Sequence, residues 1–400
     1  MTKSETSFLR TFYVLSGLTV LGPLSFETFL PALNDAARDL NTQASTLLLT
    51  IAMMQIGTAS GQIIYGPLSD RFGRRPIILG GLLLYILSSF LSSILNSPEP
   101  LFIFRLFQGL AVASTMIIFR AAIRDLFSVT VGARMYSYLY IVLAIMPLAG
   151  PIAGGYLTEF FGWRSVFILM GSIGSLVFFV ILIFFKETLS TKNIEAIRPK
   201  VLISSFSEML KDRTFLSFLL CGMGAYGGLF AILAGLAPVM MGDMGVTPSV
   251  FGIQFSIIMF AHLAAAIFAG KLVQKFGIKN LLFLSTGIIA IGGGLLLVLG
   301  LLDIKSITSI LGPISIFLIG FALTVGPMTA GAMSNFQHMA GRAASLLGFI
   351  QQGTGALVTL ILSVFAAGTQ MPLVFTLATC SFVSFLSFLA LVRRAPLREE

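Results

Sequence analysis

Charge is what this sequence has least of. Only 10% of its 400 residues are Asp, Glu, Lys or Arg, against about 25% in an ordinary soluble domain. Sixteen residues are acidic while 56% are hydrophobic, and the mean hydropathy is +0.98. So few charges cannot solvate the surface of a chain this long, so its bulk must face lipid or other lipid-facing helices. This argues against a soluble enzyme, a disordered protein and a nucleic-acid-binding domain. Cysteine is scarce too: Cys221 and Cys380 lie far apart inside apolar runs. They read as small packing residues, not as a disulfide framework or a ligand cluster. Two histidines, His262 and His338, leave little from which to build a metal site, and no cofactor is expected.

What the chain has is long apolar runs. A transmembrane helix needs about 20 predominantly apolar residues, and such runs fall at 12–33, 47–68, 76–96, 101–122, 135–158, 164–186, 214–240, 249–270, 280–302, 306–333, 343–367 and 371–392. The first follows Lys3 and Arg10 but is too long for a signal-peptide core and lacks a small-residue cleavage site, so it reads as an uncleaved first span. Most connections are short and carry turn residues, such as Asn96-Ser97-Pro98-Glu99-Pro100. The segment 187–213 alone is long, polar and mixed in charge. It divides the chain into a six-helix bundle at 1–186, a linker at 187–213 and a second bundle at 214–400. The fold class is therefore an all-α membrane protein of twelve transmembrane helices in two six-helix pseudo-repeats.

The basic residues orient these spans. Assigning both termini and the even-numbered loops to one side collects 21 of the 25 Lys and Arg there, with Arg38, Arg164 and Lys305 opposite and Arg105 within a span. That asymmetry places both termini in the cytoplasm. The net charge of +9 is then a matter of topology and of contact with anionic lipid, not of nucleic acid.

An internal repeat supports the two-half division. Gly66-Pro67-Leu68-Ser69-Asp70-Arg71-Phe72-Gly73-Arg74-Arg75 follows the second span, and Gly270-Lys271-Leu272-Val273-Gln274-Lys275-Phe276-Gly277-Ile278-Lys279 follows the eighth. Gly, Leu, a cation, Phe-Gly and a final cation recur at the same offsets. Parallel repetition of six-span halves is how one class of secondary transporter is built. Gly222-x-Gly224-x-x-Gly227 matches a dinucleotide fingerprint in form only, since it lies inside a span with no strand before it. No Walker A sequence occurs, so an ion gradient, not ATP hydrolysis by this chain, would drive pumping.

These residues resemble the major facilitator superfamily over essentially the whole chain. The 66–75 loop resembles its signature between spans 2 and 3, and Arg105-Leu106-Phe107-Gln108-Gly109 its span-4 motif. Gly150-Pro151-Ile152-Ala153-Gly154-Gly155 resembles the antiporter motif of drug-exporting members. Glu27-Thr28-Phe29-Leu30-Pro31-Ala32-Leu33 is similar to the Asp-x-Tyr-Leu-Pro-Ala-Leu of the Bcr/CflA drug-resistance branch, with Glu27 and Phe29 as departures. Ala343 to Gln351 is similar to that branch's span-11 start. The second loop carries Gln274 where the first has Asp70. The resemblance implies proton-driven export of small amphipathic compounds. One charge moved through 100 mV is worth about 2.3 kcal/mol.

Glu27 is the one acid well inside a span. An ionisable group in hydrocarbon is costly and by default marks an ion path, so Glu27 is the candidate proton carrier. Its alternative is a structural partner for a buried cation, or a carboxylate close enough to the interface to stay hydrated. Arg105 is the one Lys or Arg well inside a span. If spans 1 and 4 adjoin, as the resemblance implies, the two could pair directly, through Gln108, or through water. A static ion pair that only fixes packing is the alternative. Asp70, Arg71 and Arg75, with Arg124 as a further cation, read as a cytoplasmic gate, or as a tight turn that sets topology. Gly150, Pro151, Gly154 and Gly155 permit a kink and close helix approach, here against span 8.

Polar and soft side chains at mid-span depth are candidate substrate contacts: Met53, Met54, Gln55, Gln108, Thr115, Tyr140, Tyr226, Gln351 and Gln352. The alternative for each, and the commoner role of such residues, is a helix–helix hydrogen bond or core filler. His262 is either a proton shuttle or a packing residue. The expected function is multidrug efflux by proton antiport in a bacterial inner membrane, with small-molecule substrate, protons and lipid as partners and no oligomer required. Export of one endogenous metabolite or siderophore is the alternative within transport, and a non-transporting receptor or scaffold the alternative outside it.

Overall fold

The computed structural model describes residues 3–193, 199–365 and 369–394, with side chains undefined at a few helical positions. Among the described residues every regular element is helical: α1 (Lys3–Glu27), α2 (Leu33–Asp39), α3 (Ala44–Phe72), α4 (Arg74–Ser92), α5 (Pro98–Leu126), α6 (Val129–Phe161), α7 (Arg164–Phe184), α8 (Pro199–Lys211), α9 (Arg213–Ala237), α10 (Pro248–Leu301), α11 (Ile307–Met333), α12 (Ala340–Phe365) and α13 (Met371–Ala390). Eleven of the described helical segments are long and apolar enough to cross a membrane.

One of these must be two. At 1.5 Å per residue a 54-residue α10 would run about 80 Å, more than twice the roughly 30 Å of hydrocarbon. Gly277 interrupts it with φ 74°, ψ 167°, a backbone region open essentially to glycine alone. The twelve expected spans are thereby recovered. Gly73, the matching residue of the internal repeat, ends α3 with φ 109°, ψ 158°. The sequence repeat is thus also a conformational one: Phe-Gly turns the chain the same way in both places.

Element ends depart from the expected spans where local chemistry overrides hydropathy. The first span, expected at 12–33, is helical from Lys3 but breaks after Glu27, turns through a 3₁₀ segment at Leu30–Ala32, and resumes as α2. Pro31 has no N–H to donate and disfavours helix at Leu30. The segment 187–213 is not a plain connector: it contains α8, whose Met209 is buried with Phe215, Phe218 and Phe336. Asp212 caps α9, accepting from the Phe215 N–H at 2.7 Å, and Asn335 donates to its other oxygen. Part of that segment, 194–198, lies outside the described residues.

The chain forms two compact units, Met1–Arg198 with Thr247–Ile253, and Pro199–Val246 with Gln254–Glu400. In the first, α3 and α4 pack on α5, α7 on α4, and α6 on α1. Lipid tails are as apolar as the helices they surround, so close packing at small residues must hold spans together. At Gly109 and Gly57, α3 and α5 meet backbone to backbone; a Cβ on Gly109 would lie 2.0 Å from the Met54 carbonyl oxygen. In the second unit α9 is central, against α11, α12 and α13. Gly224 there abuts the backbone of Cys380 and Ser384, so the fingerprint-like glycines are a packing stripe. Large apolar side chains stand bare on the outside, among them Phe161 (76%), Ile257 (65%) and Val364 (77%). An apolar exterior of this extent belongs in lipid. The protein is a multi-pass membrane protein.

Candidate functional site

The break at the end of α1 gathers most of the predicted chemistry of the first unit. Glu27 is the last residue of α1, half-buried, with Oε2 withdrawn from solvent and without a hydrogen-bond partner among the described residues. It faces α6. A Cβ on Gly150 would lie 3.4 Å from both Glu27 Cβ and Thr28 Oγ1, and one on Gly154 would lie 2.0 Å from the Thr28 carbonyl oxygen. The glycine face of α6 thus admits the α1 terminus at backbone contact. The opposite edge of the motif meets Thr247–Ile253, the part of α10 that belongs to this unit: Gly155 abuts Pro248, and Gly252 abuts Pro151. The expected close approach to span 8 is present, whereas α6 runs unbroken through Pro147 and Pro151.

Arg105 lies on the other side of the same stretch. It is fully buried; its Nη1 donates to the Ser25 carbonyl at 3.1 Å and to Gln108 Oε1 at 2.6 Å. Its guanidinium stands over Phe29 at 5.0 Å and near Phe167 at 5.9 Å. Gln108 passes the network on to Ser89 Oγ at 2.8 Å, and the Ser25 hydroxyl and Tyr85 hydroxyl are 2.6 Å apart. A buried guanidinium costs several kcal/mol; two acceptors and desolvated ring faces offset it, the latter by about 2 kcal/mol. Among the described residues Nε and Nη2 have no hydrogen-bond partner.

The expected Glu27–Arg105 pair is therefore absent among the described residues, and helix geometry gives the reason. The Ser25 hydroxyl meets Tyr85 in the Arg105 cluster, and Glu27, two residues further along α1, points about 200° round from it. Arg105 and Glu27 contact one short segment from opposite sides.

The 66–75 turn forms a second cluster with a different centre from the one expected. Arg74, 2% exposed, pairs with Asp70 at 2.6 Å and Asp125 at 3.1 Å and donates to Ser69 Oγ at 2.6 Å. Arg124 is not the partner of Asp70. It is 63% exposed and only 3.7 Å from Asp125, because its position on α5 turns it outward while Asp125 turns in. Arg71 lies exposed over the Phe72 ring. Arg75 donates from Nη2 to the Leu182 carbonyl.

Gly73 has no side chain to cap α4. Glu187, beyond the end of α7, supplies the cap: its carboxylate accepts from the N–H groups of Arg74 at 2.9 Å and Arg75 at 3.1 Å, and of Thr188 and Leu189. Partial burial pushes this carboxyl up, but the four backbone donors outweigh it and leave it below the ordinary carboxylate range. A Cβ on Gly73 would lie 2.5 Å from Glu187 Oε2. Asp70 and Arg74 at i, i+4 are a legible helix pair; Asp125 and Glu187 carry no local signal.

Of the candidate substrate contacts, Met54, Gln55, Gln108 and Thr115 are fully buried. Met54 is pinned where α3 meets Gly109, Thr115 donates to the Val112 carbonyl, and Gln108 serves Arg105. Met53, Gln351 and Gln352 are half-buried, Gln352 with Oε1 lacking a hydrogen-bond partner. Tyr226 is half-buried, edge-on to Phe321 at 5.1 Å. The side chain of Tyr140 lies outside the described residues. Cys221 and Cys380 are free thiols, Cys221 packed against Ser384. No group of three or more His, Cys, Asp or Glu able to hold a metal occurs among the described residues.

The sequence matches the Major Facilitator Superfamily over residues 15–359. The chain belongs to that superfamily. It is 29% identical over 403 aligned residues to the "Bicyclomycin resistance protein homolog" of Haemophilus influenzae, covering 98% of each chain. It is likewise 29% identical to the "Chloramphenicol resistance protein" of Pseudomonas aeruginosa, over 93% of this chain and 89% of that one. In three dimensions it resembles the crystal structure of a D-xylose–proton symporter with a TM-score of 0.73, at 17% identity and 98% coverage of both chains. That likeness concerns the fold alone. Within a major facilitator chain, the glycine motif on α6 and the turn at 66–75 now have physical partners: the carboxylate at the end of α1, and the four-residue charge cluster around Arg74.

Proposed function

We propose that this chain is a secondary active exporter of small amphipathic compounds, a multidrug efflux protein driven by proton antiport. It resides in a bacterial inner membrane with both termini cytoplasmic, as a monomer in contact with lipid and without nucleic acid, and works by alternating access of two six-helix halves. The resistance phenotypes named in its relatives support the class of cargo. One observation carries the coupling step: the carboxylate of Glu27, half-buried at the break of α1 with a solvent-withdrawn oxygen that has no partner.

A carboxylate in that position is costly when charged, and among the described residues it has no cation to hold it. Proton loading removes the charge and lets the α1 terminus settle on the glycine face of α6; proton release disfavours that contact. Arg105 grips the same segment from the far side through Ser25 and Phe29. A shift at residues 25–31 therefore reaches α4, α5 and α7 through Gln108, Ser89 and Tyr85. The Arg74 cluster, with Asp70, Asp125 and Glu187, is the latch of the cytoplasmic side.

The test is proton movement in energised inside-out vesicles, followed with a pH-sensitive dye on adding chloramphenicol and other amphipathic antibiotics. Wild type should dissipate the gradient in a drug-dependent way, and Glu27→Gln at matched expression should not. Dissipation that survives in Glu27→Gln removes the proton-coupling role from that residue. Transport of drug that is indifferent to the proton gradient removes antiport.

A further inference from the structure

His262 lies on α10 within the second unit, in a segment with no acid or base of its own from Pro248 to Gly270. Its Nδ1 is 3.2 Å from the carbonyl oxygen of Leu318 on α11. A carbonyl only accepts, so Nδ1 carries the hydrogen and, in the neutral ring, Nε2 carries the lone pair. Among the described residues Nε2 has no hydrogen-bond partner. The imidazole also stacks on Phe321, one helical turn along α11, with ring centres 5.7 Å apart and planes at 28°. Tyr226 of α9 meets the same Phe321 edge-on.

This arrangement suits a proton acceptor better than a packing residue. A histidine held only for packing needs neither a fixed tautomer nor an open nitrogen. Here the hydrogen bond to Leu318 persists and strengthens when the ring becomes charged, and Phe321 presents its π face within the roughly 6 Å over which a cation is attracted. Nothing has to rearrange on protonation.

We propose that His262 is a second proton-binding site of this chain, taking the proton at Nε2 while Nδ1 stays on the Leu318 carbonyl. The groups facing it are few. From α11 come Leu318 and Phe321, on a helix without any Asp, Glu, Lys or Arg between Ile307 and Met333. From α9 comes Tyr226, reached through Phe321. Burial opposes the imidazolium, and the carbonyl and the ring face favour it. Glu27 and His262 then give each unit one candidate proton-exchanging group within its spans. The use of this site rests on the proton-antiport reading above, but its existence does not.

The chain has only two histidines, which makes a direct test practical. The His338→Gln variant, labelled with 15N-histidine and reconstituted in nanodiscs, contains a single imidazole. The expected spectrum at alkaline pH shows a protonated Nδ1 and a bare Nε2. Acidification between about pH 8 and 5 should move the Nε2 signal strongly upfield while Nδ1 barely shifts. A spectrum with the proton on Nε2, or no titration across that range, overturns the proposal. If His338→Gln does not fold, subtracting the spectrum of His262→Gln from that of wild type isolates the same signals. Because the titration reads no transport, it can succeed where the vesicle assay fails, and the reverse.

Discussion

Replacing Gly154 with alanine adds one methyl group where the structure has no room for it. The new Cβ would sit 2.0 Å from the Thr28 carbonyl oxygen, 2.8 Å from its carbonyl carbon and 3.0 Å from Pro31 Cγ. Two of these atoms are backbone, so no rotamer change relieves the clash. Restoring an ordinary contact of 3.4 Å requires α6 and the α1 terminus to part by about 1.4 Å. Overpacking of this kind costs about 1–3 kcal/mol. For a unit of some 200 residues, that is a fall of roughly 2–12 °C in Tm. The displaced atoms adjoin Glu27, so drug-dependent proton flux should fall more than protein stability alone explains. Gly80→Ala is the matched control, since nothing lies within 4 Å of its Cβ position. The assay is a thermal melt of purified protein beside flux in vesicles at matched expression. If Gly154→Ala melts with wild type and pumps like Gly80→Ala, the reading of α6 as a contact surface for the α1 terminus is wrong.

Arg74→Gln should destabilise the protein by about 2 kcal/mol or more, because it removes the buried guanidinium that Asp70, half-buried Asp125 and buried Ser69 share. Arg124→Gln, on an exposed guanidinium, should stay within about 0.5 kcal/mol of wild type; equal melting temperatures for the two variants would contradict the assignment of Arg74 as the centre of the cluster. Glu187 predicts a pH dependence. Its folded-state carboxyl lies below the ordinary range, so its stabilisation is complete above the unfolded value near 4.3 and is lost as pH falls through the lower folded value. The melting temperature of Glu187→Gln should therefore trail wild type at neutral pH and converge with it on acidification, whereas a gap that persists at low pH would show that the ionised cap does not matter.

The spans, the repeat and the membrane class are legible in the residues because they depend on local composition. About twenty apolar residues cross a bilayer in any context, and Phe-Gly at matched positions turns the backbone in the same way at Gly73 and Gly277. Glu27 and Arg105 stand out for the same reason: each is an isolated charge in an apolar run. The glycines of 150–155 announce close approach, since only missing side chains permit it, although α6 passes its prolines without a break.

Which groups meet is another matter, because it depends on how faces turn. Glu27 and Arg105 look like a pair when depth alone is known, but the 200° between Glu27 and Ser25 on α1 turns the carboxylate away from the Arg105 cluster. Asp70 seeks a cation, and Arg71, Arg74, Arg75 and Arg124 all qualify by type. Burial singles out Arg74, since α4 turns it inward onto Asp125 while Arg124 points away. Glu187 is invisible as a cap until the chain after α7 returns beneath α4. Met54, Gln55 and Thr115 carry no mark in the sequence of how deeply helix packing buries them. Composition sets which segments enter the membrane and which residues are out of place there; only the rotation and contact of packed helices decide the partner each of those residues finds.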